Sequence, residues 1–137
     1  MKVENWNIVG SRGQVVFANT HLPKDNPTGI LLVCHGFMGY KDYSFIPTLC
    51  DQAAQNGLIS VRFNFSHSGV TEDYSTFSRE DLFEDCLISD QLRDVEILIT
   101  DLKGKYPSLP VTLAIPGEDQ LLLFILVVLK LNLNLML

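Results

Sequence analysis

The sequence predicts an α/β fold, a three-layer sandwich on a mostly parallel sheet with an antiparallel hairpin at its N-terminal end. Three observations carry this. Short apolar runs at 30–34, 58–65 and 110–114 have the length and composition of strands buried on both faces. Two stretches with apolar residues at spacings of three and four separate these runs. Ahead of them lie two β-rich segments around a turn. The order strand, helix, strand, helix, strand calls for right-handed crossovers and therefore parallel strands.

Taken in order, residues 2–17 read as the hairpin. Ser11, Arg12 and Gly13 supply the turn, and Val15, Val16 and Phe17 the β-rich run. Residues 21–29 hold two prolines, Asp25, Asn26 and Gly29, and read as a surface loop that leaves His21 solvated. A helix is expected over 44–56 from the spacing of Ile46, Leu49, Cys50, Ala53 and Ala54, with Asn56 and Gly57 as its stop. Residues 66–80 read as a polar loop. One long helix is expected over 81–103, with Ile88, Leu92, Val95, Ile99 and Leu102 as its apolar stripe. Its acidic start and its end at Lys103, Gly104 and Lys105 suit the helix dipole and a glycine cap.

With 137 residues, 47% of them hydrophobic, the chain can build the core of one domain. A net charge of −6 lacks the basic footprint that nucleic-acid binding needs and disfavours anionic membranes. Cys34, Cys50 and Cys86 are far apart and form no C-x-x-C pair, so no zinc site is expected. Polar residues appear at once (Lys2, Glu4, Asn5, Asn7), as in a cytoplasmic protein without a secretory signal.

The segment most suggestive of chemistry is His35, Gly36, Phe37, Met38 and Gly39, at the end of an apolar strand. Such a strand end can aim a backbone N–H at a developing oxyanion. Continued through Tyr40, Lys41 and Asp42, it resembles the H-G-F-x-G-x-K-D segment of the α/β-hydrolase superfamily. The nearest group is that of dienelactone hydrolases, prolyl oligopeptidases and serine aminopeptidases. Residues 62–70 (RFNFSHSGV) are similar to that group's R-F-N-F-S-G-S-G-V, with His67 where glycine is usual. The resemblance covers residues 1–114, the N-terminal half of such a domain. It implies an esterase-like serine hydrolase acting on a carboxylic ester, thioester or small amide or peptide, with no metal or organic cofactor. The Phe37 N–H would serve the oxyanion hole, on a turn of His35, Gly36, Phe37, Met38 and Gly39 that His35 and Gly36 would shape.

In that family the strand at 110–114 leads into a nucleophile turn, followed by the acid and histidine of the triad. Here Ile115, Pro116, Gly117, Glu118, Asp119 and Gln120 follow, and no serine occurs after Ser108. No residue of this chain is therefore expected to be catalytic. Residues 115–137 read as an atypical apolar tail in place of the nucleophile elbow. A one-base frame change would explain it. If residues 113–120 are encoded CTG GCC ATT CCC GGG GAG GAT CAN, the neighbouring frame spells Gly-His-Ser-Arg-Gly-Gly-Ser, a good elbow. The apolar stretch from Leu121 to Leu129 is too short to span a bilayer and points instead to self-association. The chain is thus expected to be a truncated, inactive hydrolase. The alternatives are a non-catalytic binding or interaction protein that uses the residual cleft or the tail, and a product without function.

Other candidates read as structural. Cys34 and His35 are adjacent on a strand and cannot pair. Ser66, His67 and Ser68 form a polar loop bordering the cleft, with no group identifiable to orient the imidazole. Asp81, Glu84, Asp85, Asp90 and Asp94 scatter over a helix and read as solvated surface. Tyr40, Tyr43 and Phe45 are expected against the 35–39 turn.

Overall fold

The computed structural model describes residues 1–72, 77–115 and 134–136, the last three for their backbone. The hairpin forms where the sequence places it. Strands β1 (Lys2–Val9) and β2 (Val15–Leu22) pair antiparallel, with Val9 opposite Val15 and Lys2 opposite Leu22. A 3-10 turn over Ser11–Gly13 joins them.

β2 runs past Phe17 into the expected loop, which corrects the reading of His21. Its far half pairs antiparallel with β4 (Leu58–Phe63), Thr20 lying opposite Val61 and His21 opposite Ser60. His21 is 2% exposed, not solvated. Polar composition misleads here because partners on neighbouring elements satisfy the side chains. The Trp6 indole N–H, for example, donates to Thr20 Oγ1 at 2.7 Å.

Strands β3 (Gly29–Cys34) and β5 (Val111–Ala114) fill the two other apolar runs. β6 (Asn134–Met136) lies in the tail. The sheet order is β1-β2-β4-β3-β5-β6, with β3 parallel to β4 and β5, and β5 parallel to β6. The remainder of the expected tail, 116–133 and 137, lies outside the described residues.

Alternation along β3 explains why it reads as unbroken apolar sequence. Ile30, Leu32 and Cys34 join Val95, Leu98, Ile99 and Leu102 of α3 (Ile88–Lys105) in one core. Leu31 and Val33 point the other way, into a second core with Ile46, Cys50 and Ala53 of α1 (Ile46–Gln55). Helices on both faces of the sheet make the expected three layers. No helix among the described residues is long and apolar enough to cross a membrane.

The long helix expected over 81–103 is two helices. α2 (Glu80–Glu84) ends before a break at 85–87, and α3 begins at Ile88. The break is bonded rather than loose. Asp90 accepts the Leu87 N–H at 3.0 Å, as an acid in a first helical turn does. Arg12 reaches across from the hairpin turn to Asp85 Oδ2 at 2.7 Å and Asp90 Oδ2 at 2.6 Å. Asp90 and Asp94 are buried, at 3% and 0% exposure, and so are not the solvated surface expected of them.

Candidate functional site

The C-terminal ends of β3 and β4 hold the two motif segments, and each fixes the other. His35 sits just past β3 and uses both ring nitrogens. Nε2 accepts the Phe65 N–H at 3.1 Å, so Nδ1 carries the proton and donates to the Gly36 carbonyl at 2.9 Å. Burial pushes the His35 imidazole down to about 4, with the Gly36 bond opposing, and the ring stays neutral. It packs edge-on to Phe65, centroids 4.9 Å apart. His35 is therefore a strut for the turn with no nitrogen left for proton transfer.

Asn64 does the same from the other side. Its Oδ1 accepts the Lys41 N–H at 2.6 Å, and Nδ2 donates to the Val70 and Thr71 carbonyls. Replacing Asn64 with alanine leaves the half-buried Lys41 N–H without its acceptor and is expected to cost about 1 kcal/mol of stability, read from urea unfolding. The charged motif residues also meet. Arg62 Nη1 donates to Asp42 Oδ1 at 2.6 Å, and Lys41 Nζ lies 2.8 Å from Asp42 Oδ2. Although burial raises the Asp42 carboxyl, Lys41 and Arg62 outweigh it and hold it below the usual range. Arg62 Nε donates to His21 Nε2 at 2.9 Å, and His21 Nδ1 lies 2.8 Å from Asp51 Oδ1. Burial lowers His21, against the pull of Asp51.

Between these struts the 35–39 turn stands clear. Its own hydrogen bond runs from the Gly39 N–H to the Gly36 carbonyl at 3.0 Å and does not involve the Phe37 N–H. A side chain at 39 would press on that carbonyl, which explains the second glycine of the motif. Phe37 and Met38 are mostly exposed, and Met38 takes φ 57°. The turn opens on a cavity of about 460 Å³, walled also by Phe65, His67, Ser68, Phe83 and Leu87. The aromatic neighbour of Phe37 is Phe83 on α2, with centroids 5.6 Å apart. The aromatics expected against the turn, Tyr40, Tyr43 and Phe45, are not part of the cavity wall. Tyr40 and Tyr43 pack on each other, and Tyr43 and Phe45 are more than half exposed.

The 66–68 loop also departs from expectation, because an orienting group exists. Ser66 Oγ–H donates to Asp94 Oδ2 at 2.8 Å, and Ser66 Oγ lies 2.8 Å from His67 Nδ1. Asp94 additionally accepts the N–H groups of Ser66 and Ser11, each at 2.8 Å. Burial raises the Asp94 carboxyl, with these donors opposing. Spacing could have found Asp94: it lies four residues before Leu98 and eight before Leu102, on the buried stripe. Among the described residues no cluster of three His, Cys, Asp or Glu side chains could hold a metal ion. Cys34, Cys50 and Cys86 are free, and burial raises Cys34 far above the ordinary thiol range.

This sheet order, with helices on both faces and the motif turn beyond β3, defines the α/β-hydrolase fold. The solved structures agree. A putative hydrolase from Agrobacterium vitis matches with a TM-score of 0.74 at 17% identity, over 96% of this chain and 47% of that one. An α/β serine hydrolase without lid from Xanthomonas campestris matches at 0.71 and 15%, over 98% of this chain and 60% of that one. A dienelactone hydrolase from Anabaena variabilis matches at 0.64 and 15%, over 87% and 54%. The chain thus spans between 47% and 60% of these proteins and corresponds to their N-terminal part. No family model matches it, and no curated protein does.

Proposed function

We propose that this chain carries the acyl-holding side of an esterase-like serine-hydrolase site. The Phe37 N–H donates to the carbonyl oxygen of a carboxylic ester, thioester or small amide, and the adjoining cavity takes the acyl group. One observation carries this reading. The 35–39 turn is braced at the end of a buried parallel strand by a histidine with both nitrogens occupied, and its free edge faces a partly apolar cavity. No cofactor enters the chemistry.

The attacking group is the part this chain does not supply. Its sequence has no G-x-S-x-G, no serine after Ser108 and no histidine after His67. An oxyanion donor without nucleophile, acid and base positions a carbonyl and does not cleave it. The three free thiols and the net charge of −6 fit a cytoplasmic protein whose partner is a small acyl compound.

Titrating the ¹⁵N-labelled chain with methyl butyrate tests the reading. The Phe37 and Met38 amide signals are expected to shift saturably together with those of 65–68. Shifts confined to other surfaces, or none at all, would refute the carbonyl-holding role.

A further inference from the structure

The cavity contains a second recognition element that the hydrolase reading leaves unused. Ser66 gives its hydroxyl proton to Asp94, so its oxygen must accept from His67, which places the His67 proton on Nδ1. Asp94, Ser66 and His67 form a relay that fixes the imidazole in one tautomer. His67 is 2% exposed and forms part of the cavity wall, and its Nε2 has no partner among the described residues. The other buried polar side chains of that wall are already engaged. His35 uses both nitrogens, and the Ser68 hydroxyl bonds the backbone N–H and carbonyl of Val70.

With its proton on Nδ1, the imidazole presents Nε2 as an acceptor. That nitrogen cannot receive the ester carbonyl, which is itself an acceptor and belongs at the Phe37 N–H. It receives an O–H or N–H donor. Resting on the acyl-holding reading above, we propose that His67 Nε2 is a specificity-determining acceptor, selecting acyl groups that bear a hydroxyl close to the carbonyl. Glycine at this position would offer no such acceptor, so the departure of residue 67 from the family pattern acquires a chemical purpose.

The test compares methyl 3-hydroxybutyrate with methyl butyrate on the full chain. One additional net hydrogen bond predicts about fivefold tighter binding of the hydroxy ester. The ¹⁵N resonance of His67 Nε2 should move with the hydroxy ester and stay in place with methyl butyrate, a response that a merely structural imidazole would not give. His67→Phe should equalise the two esters, while His67→Gln, which keeps an acceptor, should retain part of the preference. Should His67→Phe fail to fold, the wild-type Nε2 signal and the wild-type affinity ratio still decide. Equal affinities with the Phe37 amide responding to both esters would overturn the role of His67 alone. No Phe37 response to either ester would overturn the acyl-holding reading and this inference with it.

Discussion

Asp94→Ala is expected to remove about 4 kcal/mol of folding stability, a large fraction of what a domain of this size possesses. Asp94 is fully buried and is the shared acceptor for three donors from distant parts of the chain. Oδ1 takes the Ser11 N–H of the hairpin turn, while Oδ2 takes both the N–H and the hydroxyl of Ser66 past β4. Alanine removes the acceptor of all three in a buried position, where each unmet group costs about 1–3 kcal/mol, less than additively once the site relaxes. Asp94→Asn keeps one acceptor oxygen but turns an NH₂ toward the remaining donors, and should fall between the two. Urea-unfolding midpoints at pH 7 check this. A loss below 1 kcal/mol for the alanine variant would mean that the relay is not buried as described.

Acid is expected to weaken the fold well above the range in which carboxylates titrate. Burial brings the folded-state value of His35 from 6.5 down to about 4, with the Gly36 bond opposing. Above pH 6.5 the ring is neutral in both states and the penalty is absent. Between pH 6.5 and 4 the unfolded chain binds a proton that the folded chain refuses, so stability falls by about 1.4 kcal/mol per pH unit. That is about 2 kcal/mol by pH 5, and His21, lowered by its own burial, adds to the loss. Asp94, raised by burial, takes up its proton sooner in the folded chain and so opposes part of this loss, whereas Asp90 acts in a second, lower window. Burial alone would raise Asp90, but Arg12, Ser11 and the Leu87 N–H outweigh it and hold it at about 2. Its contribution is complete above pH 4 and is lost only as the pH falls toward 2. Urea unfolding at pH 7, 6 and 5 reads the upper window, and His35→Gln should flatten it. A wild-type profile level from pH 7 to 5 would contradict a neutral, doubly bonded His35. Protonating Nε2 also removes the acceptor for the Phe65 N–H, so methyl butyrate binding should decline in parallel.

The sequence makes legible what repeats along it. β3 stands out because a strand buried on both faces is apolar throughout, β4 and β5 because they are apolar at most positions, and α1 because one helical face is. Elements completed by long-range polar contacts do not stand out. His21 looks like a loop residue until β4 pairs with it. Asp90 looks like helix surface until it is found capping a helix start and bonding Arg12 and Ser11. At the site, the 35–39 turn and the RFNFSHSGV stretch are visible as patterns, yet their mutual bracing through His35, Asn64 and Arg62 appears only in three dimensions. His67 is visible as a departure from a pattern. What orients it, an aspartate 27 positions away, has no local signature beyond its place on the apolar stripe of α3.

The proposed role is to hold an acyl carbonyl while supplying no attacking hydroxyl. Incubation with a fluorophosphonate, followed by intact-mass measurement and peptide mapping, tests it most directly. An unchanged mass is expected at probe concentrations that fully label an active serine hydrolase. A stoichiometric adduct on any serine of this chain, Ser66 or Ser68 included, would contradict that role.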